Sequence, residues 1–223
     1  AIDSATPDGW TPLHLASWDG SVDIVTLLLE KGAAIDSATS DGWTSLHVAS
    51  GKGYVDIVTL LLEKGAGIDS ATPDGMTPLH LASENGYVDI VTLLLEKGAG
   101  IDSATPDGRT SLHLASWHGS VDVATLLLER GADIASVDKD GFTSLHFAVL
   151  GNSIEAVTLL LDKGAVLNSV ANGGVVPLHL ASLNDSPDVV NLLLDKEADI
   201  DSVEFYVGDS ATYSFGVWSS GRC

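Results

Sequence analysis

The chain has 223 residues, 45% of them hydrophobic, and 31 Asp and Glu against 10 Lys and Arg give a formal net charge of −21. The length supports a substantial core, whereas the charge excludes nucleic-acid binding, which needs a basic surface, and an anionic membrane surface. The single cysteine, Cys223, excludes an intrachain disulfide framework. No apolar run is long enough to cross a bilayer and no signal peptide is visible, so we expect a cytoplasmic protein, with the nucleus as an alternative.

The first predicted helix begins near the N-terminus, after Thr11. Threonine is a favourable N-cap, and Pro12 suits the first helical turn because its missing N–H would have no intrahelical partner there. Leu13 and Ala16 lie three residues apart and therefore share one helix face. Gly20 suits the left-handed position that ends a helix, so the sequence predicts a short helix between these two caps.

A second helix is predicted over residues 22–30. Asp23 suits its first turn because a carboxylate stabilises the N-terminal end of the helix dipole, and Gly32 predicts its end. Its apolar residues occupy more than one stripe, so neighbouring elements must cover the helix on two sides; they are Val22, Ile24, Val25, Leu27, Leu28 and Leu29. The polar stretch "AAIDSATSDG", residues 33–42, then predicts a connection that resembles a β-hairpin finger.

This helix pair recurs with a period of 33 residues. "VDIVTLLLEKGA" starts at Val22, Val55 and Val88, and the histidine of "TPLHLA" recurs at His14, His47, His80, His113, His146 and His179. A fixed period of this length is typical of repeat architectures. The motif resembles the ankyrin repeat, which implies an all-α ankyrin-repeat α-solenoid of helix–turn–helix units joined by β-hairpin-like fingers. We expect six repeats at about 1–34, 35–67, 68–100, 101–133, 134–166 and 167–203, followed by an irregular tail at 204–223.

Both ends of the array depart from the pattern. Asn152 and Asp185 replace the first glycine of their repeats and Glu197 replaces the second. A non-glycine residue in the left-handed conformation costs about 1 kcal/mol, so we expect a softer C-terminal end. Residues 204–223 form either an aromatic cap on the sixth repeat or the disordered remnant of an interrupted one. The first repeat lacks a polar capping unit, so we expect the chain to be a fragment of a longer array.

The histidines are the first candidates for catalysis or metal binding. The period spreads six of them along the solenoid, whereas a metal ion needs converging ligands and a catalytic base needs a nearby nucleophile. The ankyrin resemblance implies a structural role, in which each bonds the motif threonine and adjacent backbone. His118 alone lies outside the motif. Because no phosphate loop, metal-ligand cluster or activated nucleophile is visible, we expect no enzyme, no cofactor and no metal.

The differences between repeats are concentrated in the fingers and first helices. Units 35–67 and 68–100 differ at six positions, none of them in the second helix: Ser40/Pro73, Trp43/Met76, Ser45/Pro78, Val48/Leu81, Gly51/Glu84 and Lys52/Asn85. Three positions vary most across the array. The first precedes the motif threonine, and the second and third lie two and three residues after the motif alanine.

The ankyrin resemblance implies that these positions line a concave face where partners bind. Thr26, Glu30 and Lys31 should be exposed on the outer helix, yet their equivalents do not change in the next two repeats. This contrast favours a varied recognition surface over neutral drift. Trp, Arg, Met and Phe are enriched at interfaces. The predicted partner-binding residues are Trp10, Trp18, Asp19, Trp43, Lys52, Met76, Glu84, Asn85, Arg109, Trp117, His118 and Phe142. The alternative for the four tryptophans is partial packing on neighbouring repeats.

Aspartates form a further row along the fingers, at Asp8, Asp41, Asp74, Asp107 and Asp140, with Asp36, Asp69 and Asp102 before the finger serine. They either brace turns through side-chain hydrogen bonds or favour a cationic partner. We therefore expect a monomeric, non-catalytic module that binds a protein partner with a basic surface. The alternative is a scaffold or spacer without a dedicated ligand. Near-identical repeats that vary on one face resemble the sensor repeats of fungal NOD-like (STAND-type) receptors.

Overall fold

A computed structural model describes residues 2–199, which form twelve α-helices in six consecutive pairs. The first helix of each pair belongs to an inner layer: α1 (Pro12–Asp19), α3 (Ser45–Lys52), α5 (Pro78–Glu84), α7 (Ser111–Trp117), α9 (Ser144–Leu150) and α11 (Pro177–Leu183). The second belongs to an outer layer: α2 (Val22–Glu30), α4 (Val55–Glu63), α6 (Val88–Glu96), α8 (Val121–Glu129), α10 (Ile154–Asp162) and α12 (Pro187–Asp195). Each helix packs on its equivalent in the next pair, which confirms the all-α solenoid.

The ends of the inner helices follow from the residues predicted to cap them. Thr11 is extended (φ −87°, ψ 166°), and its Oγ1 accepts a hydrogen bond from the backbone N–H of His14. Pro12 occupies the first turn. Gly20 is left-handed (φ 80°), and its N–H donates to the carbonyl of Ala16. The same threonine cap begins α3 and α5, so one local motif fixes the start of successive inner helices.

The outer helices are covered on two sides inside the array but not at its first repeat. In α4, Ile57, Val58 and Leu61 are fully buried, which confirms the prediction from the width of their apolar surface. In α2, Ile24, the equivalent of Ile57, is 52% exposed and Leu27 is 54% exposed, because no described element packs on that side. The hydrophobic interface between repeats therefore continues, uncovered, onto the N-terminal side of the first repeat.

The fingers are hydrogen-bonded turns without β-strands in the described part of the chain. In the second finger, the Thr39 N–H donates to the carbonyl of Trp43 and the Gly42 N–H donates to the carbonyl of Thr39, both at 2.9 Å. The only β-type pairing between residues 2 and 199 is one isolated bridge, from Val137 to Thr143. The expected β-hairpin-like finger is thus reduced to its turn.

Neighbouring fingers are linked by backbone hydrogen bonds only where the sequence supplies an N–H. The donor and acceptor pairs are Ser40 and Asp8 (3.0 Å), Lys139 and Asp107 (2.8 Å), and Asn172 and Asp140 (2.8 Å). At the equivalent positions of the third and fourth fingers stand Pro73 and Pro106. Proline has no backbone N–H, so the Ser40/Pro73 difference decides whether two adjacent fingers are hydrogen-bonded.

The motif histidine bridges one repeat to the next. Nδ1 of His14 accepts a hydrogen bond from the backbone N–H of Thr11 (3.2 Å) and lies 2.8 Å from its Oγ1. Nε2 lies 2.9 Å from the carbonyl oxygen of Trp43 in the following finger. Because a carbonyl can only accept, Nε2 carries the proton and donates. The implied structural role is confirmed and extends between repeats, with carbonyl acceptors also for His47, His113 and His146.

Burial keeps these histidines neutral. Desolvation lowers the pKa of His14, His47 and His80, and it lowers the pKa of His113 and His146 to about 4, although hydrogen bonds to backbone carbonyls oppose the shift. An imidazolium would lose the acceptor at Nδ1 that the threonine N–H requires. The charged ring is therefore incompatible with both its buried site and its hydrogen bonds.

The C-terminal repeats contain the expected left-handed residues. Asn152, Asp185 and Glu197 have φ values of 53°, 51° and 67°. Glycines with positive φ occupy the equivalent positions of the earlier repeats, such as Gly20 and Gly32. The conformation is confirmed, whereas the softer end that we infer from it stays a prediction. The expected irregular tail at 204–223 lies outside the described residues.

We predict that stability falls as the pH drops from about 6.5 toward 4. In this window the histidines of the unfolded chain bind protons and the buried histidines of the folded chain do not. Each buried histidine therefore lowers the free energy of unfolding by up to about 1.4 kcal/mol for every unit that the pH falls. Chemical denaturation of the wild type and His113→Gln across this range measures the contribution of one site. The wild-type free energy of unfolding should fall more steeply than that of the variant. Parallel wild-type and His113→Gln curves would contradict the assignment.

Candidate recognition face

The predicted contact residues lie together along the fingers and the inner helices. Those that precede the threonine cap are at the ends of the fingers: Trp10, Trp43, Met76, Arg109 and Phe142. The others lie at the C-terminal ends of the inner helices: Trp18, Asp19, Lys52, Glu84, Asn85, Trp117 and His118. Because consecutive inner helices pack on each other, both groups form one surface, which we call the recognition face.

Exposure differs along this face. Trp18 is 38% exposed, and Asp19, Lys52, Asn85 and His118 are exposed as well. The half-buried members are Trp10, Trp43, Met76, Glu84, Arg109 and Trp117. Phe142 differs, since it is only 7% exposed and its ring packs on His146 and Phe147. We therefore assign Phe142 to the core and omit it from the contact residues.

An aromatic cluster occupies the N-terminal end of the face. The Trp10 and Trp18 rings meet edge to face, with centroids 5.6 Å apart and an interplanar angle of 83°. Nζ of Lys52 lies 3.3 Å from the Trp18 ring centroid, within the range of a cation–π contact. Partial packing on neighbouring residues therefore holds for these indoles, and Trp18 still keeps over a third of its surface exposed. Their role in binding stays a prediction.

A second cluster surrounds Arg109. Its guanidinium carbon lies 5.6 Å from the Trp117 ring centroid and 5.5 Å from that of Phe147, while the two rings are 5.8 Å apart. The sequence prediction missed Phe147. Its signal was a phenylalanine after the motif histidine, where the other five repeats have leucine or valine. Phe147 is buried, so it supports this cluster from below and leaves Trp117 at the surface.

Residues 34 positions apart are paired across neighbouring repeats. Lys52 contacts Trp18, and Nε2 of His118 lies 3.3 Å from Oε1 of Glu84. Further along, Nδ2 of Asn184 donates to the carbonyl of Leu150 (3.2 Å). Two pairs of varied side chains, Trp18–Lys52 and Glu84–His118, are therefore matched to one another across neighbouring repeats.

At two positions of this series the residue is glycine, which has no side chain to pair with the residue 34 positions away. Gly51 lies 34 residues before Asn85, and Asn85 donates instead to the carbonyl of Leu81 in its own helix (2.9 Å). Gly151 lies 34 residues after Trp117, and a Cβ at Gly151 would overlap the Trp117 carbonyl oxygen. The second glycine is thus required by a close approach between repeats, whereas a Cβ at Gly51 would meet only ordinary contacts.

The aspartates that precede the finger glycines do not brace the turns. The backbone N–H after each finger glycine is instead bound by the side-chain oxygen of Thr6, Thr39, Thr72, Thr105 or Asp138, at 2.9–3.1 Å. Asp8, Asp41 and Asp74 are exposed and make no side-chain hydrogen bond or ion pair with residues 2–199. The alternative explanation for this row, an acidic surface at the fingers, therefore agrees with its geometry.

The aspartates before the finger serines link one finger to the next. Oδ1 of Asp36, Asp69 and Asp102 each accepts a backbone N–H from the start of the following finger at 3.0 Å, from Gly67, Gly100 and Asp133 respectively. These carboxylates are therefore bound within the scaffold. The turn-bracing expected of this second group is thus a connection between successive fingers.

Two further acids illustrate the electrostatics of the fingers. A hydrogen bond from Lys139 lowers the pKa of Asp107, and the nearby charge of Arg109 contributes to the same shift. Burial raises the pKa of Asp138, although the N–H groups of Phe142 and Asp140 stabilise its charged form. Arg109 therefore lies in an acidic part of the face, close to two carboxyl groups.

Comparison with known proteins identifies a family. A family model described as ankyrin repeats matches three times, over residues 1–72, 65–138 and 134–204. No curated protein matches the chain. Within residues 2–199, His, Cys, Asp and Glu form no group of three or more that could hold a metal ion. No helix in this same part of the chain is both long and apolar enough to span a membrane.

We predict opposite effects for alanine at two glycines of the recognition face. Gly51→Ala should raise the free energy of unfolding by up to about 1 kcal/mol, because alanine is the better helix former and the site has room. Gly151→Ala should lower it by about 1–3 kcal/mol, because the new methyl group overlaps the Trp117 carbonyl. Urea denaturation of both variants measures the difference. Equal effects would contradict the close approach at Gly151.

Proposed function

This chain belongs to the ankyrin-repeat family, whose members are generally protein-interaction modules, and we propose that it binds a protein partner through the recognition face. The observation that carries this proposal is the contrast between layers: the side chains change along the face, while the exposed outer-layer residues Glu30 and Lys31 keep their identity in the next two repeats. Thr26, which we expected to be exposed as well, is half-buried and does not contribute to this contrast. The family is generally non-catalytic, and we propose no enzymatic activity for this member.

The exposed tryptophans support a role in binding. The rings of Trp18 and Trp117 are partly exposed and are held in place by a cation, Lys52 over Trp18 and Arg109 beside Trp117. A ring that is already ordered loses little conformational freedom when a partner covers it, so more of its contact energy appears as affinity. Tryptophan is also among the residues most often found at interface hot spots.

The acidic fingers indicate the charge of the partner. Asp8, Asp41 and Asp74 lie in successive fingers with no cation paired to them in the described chain, and the whole chain has a net charge of −21. Such a row attracts a basic surface and accelerates its association. We therefore propose a partner whose contact surface is mainly basic.

The second candidate is a scaffold without a dedicated ligand. The pairs Trp18–Lys52 and Glu84–His118 favour it, because varied residues that complement each other also stabilise the stack of repeats. Internal pairing does not account for the exposed surface that Trp18 keeps, so we favour recognition. The sensor role implied by the resemblance to NOD-like receptor repeats stays a prediction.

We predict that Trp18→Ala combined with Trp117→Ala removes the partner from pull-downs out of a lysate of the source cells. Each truncation should cost about 2 kcal/mol of binding if the residue is a hot spot, which is roughly thirtyfold in affinity. The matched control, Glu63→Ala with Lys64→Ala on the outer layer, should recover the wild-type partners. Circular dichroism establishes that all three proteins are folded. The same partners for wild type, control and double variant would support the scaffold instead.

A further inference from the structure

Arg109 is a cation on the recognition face without an acidic partner. Its Nε is buried and makes no hydrogen bond, and no carboxylate of residues 2–199 lies within ion-pair distance of its guanidinium. Its two terminal nitrogens also make no hydrogen bond within these residues, but they are not buried. The edge of the guanidinium that carries them is thus free to donate to a ligand.

Other cations of the described chain are in different situations. Arg130 lies 3.8 Å from Glu96, Lys139 pairs with Asp107, and Lys196 lies 3.0 Å from Asp162. Lys52 also lies over a tryptophan, but it ends in an exposed ammonium with no planar donor pair. Arg109 combines an unpaired guanidinium with contacts to two aromatic rings, which restrict its orientation.

We propose that Arg109 and Trp117 form an anchor for the side-chain carboxylate of an Asp or Glu in the partner. This inference rests on the proposed function and adds the chemical group that the centre of the face recognises. The two terminal nitrogens of a guanidinium match the two oxygens of a carboxylate, and such a paired contact is stronger than a neutral hydrogen bond. The Trp117 ring packs beside the arginine and supplies an apolar wall for the methylene groups of the incoming side chain.

The surroundings favour a single carboxylate over a phosphate. Arg109 supplies a single guanidinium. Asp107 and Asp138 lie close enough for its positive charge to favour their ionised forms. A phosphate group carries nearly two charges at neutral pH and would be repelled more strongly by these acids and by the net charge of −21. A singly charged carboxylate matches the single cation.

The neighbouring fingers favour a carboxylate from within a chain over a terminal one. Asp74 and Asp140 stand on the fingers to either side of the one that precedes Arg109. A basic residue on each side of the bound acid would complement the negative charges of these two fingers. The partner chain must then continue on both sides of the acid, which a C-terminal carboxylate does not allow. The ligand is therefore a segment in which one acidic residue is flanked by lysines or arginines.

Selection of phage-displayed random 16-residue peptides on the purified chain tests this inference. One library displays internal peptides and a second displays peptides with a free C-terminus. The targets are the wild type, Arg109→Gln, Arg109→Lys and the matched control Lys64→Gln on the outer layer, each established as folded by circular dichroism. The wild type should enrich one Asp or Glu flanked by basic residues. Arg109→Gln should lose the acid enrichment and keep the basic one, Arg109→Lys should reduce the acid enrichment, and Lys64→Gln should keep both.

The best internal peptide and its Glu→Gln counterpart then test the contact directly by fluorescence polarisation. The replacement should weaken binding to the wild type at least tenfold and leave binding to Arg109→Gln unchanged. Acid enrichment that persists in Arg109→Gln, is lost equally in Lys64→Gln, or appears only at free C-termini would overturn the inference. Basic peptides selected without an acid would overturn it and leave the proposed function standing. Failure of every target to select any peptide would count against both.

Discussion

The histidine bridge between repeats is the interaction on which the rest of the structure depends. Each bridged imidazole accepts from the threonine N–H of its own repeat and donates to a carbonyl in the next finger. The acceptors for His14, His47 and His146 are the backbone carbonyls of Trp43, Met76 and Val175, which occupy the most variable position of the finger. A hydrogen bond to a backbone carbonyl does not depend on which side chain the accepting residue carries. The bridge therefore holds the finger while the residue at its end changes freely, and a fixed scaffold can carry a variable surface.

The recognition face is less free than a set of independent exposed positions. Lys52 with Trp18 and His118 with Glu84 couple each repeat to the next, and Gly151 leaves room for the Trp117 carbonyl. A change at one position therefore alters the environment of a residue 34 positions away. Under the proposed function, binding and stacking would use the same side chains, and the ordered rings that pack within the array would also meet the partner.

The sequence predicted the features that follow from local chemistry and period. Threonine caps, left-handed residues such as Asn152, and two-sided burial of the outer helices all follow from residue type and spacing. It did not predict contacts that join distant residues. Phe142 packs on Phe147, and the roles of the aspartates depend on which N–H of the next finger lies nearby. The missing strands follow from backbone geometry, because each finger closes in a turn too short for a ladder. Periodicity places residues on a face, but packing decides which of them remain at the surface.

The protonation of the bridging histidines tests this account most directly. Long-range proton–nitrogen correlation spectra at pH 6 distinguish the two neutral tautomers from the charged ring. The account predicts that His14, His47, His113 and His146 are neutral with the proton on Nε2, because burial lowers their pKa and Nδ1 accepts the threonine N–H. Rings that are protonated on Nδ1 or doubly protonated at this pH would contradict the bridge, and with it the separation of a fixed scaffold from a variable face.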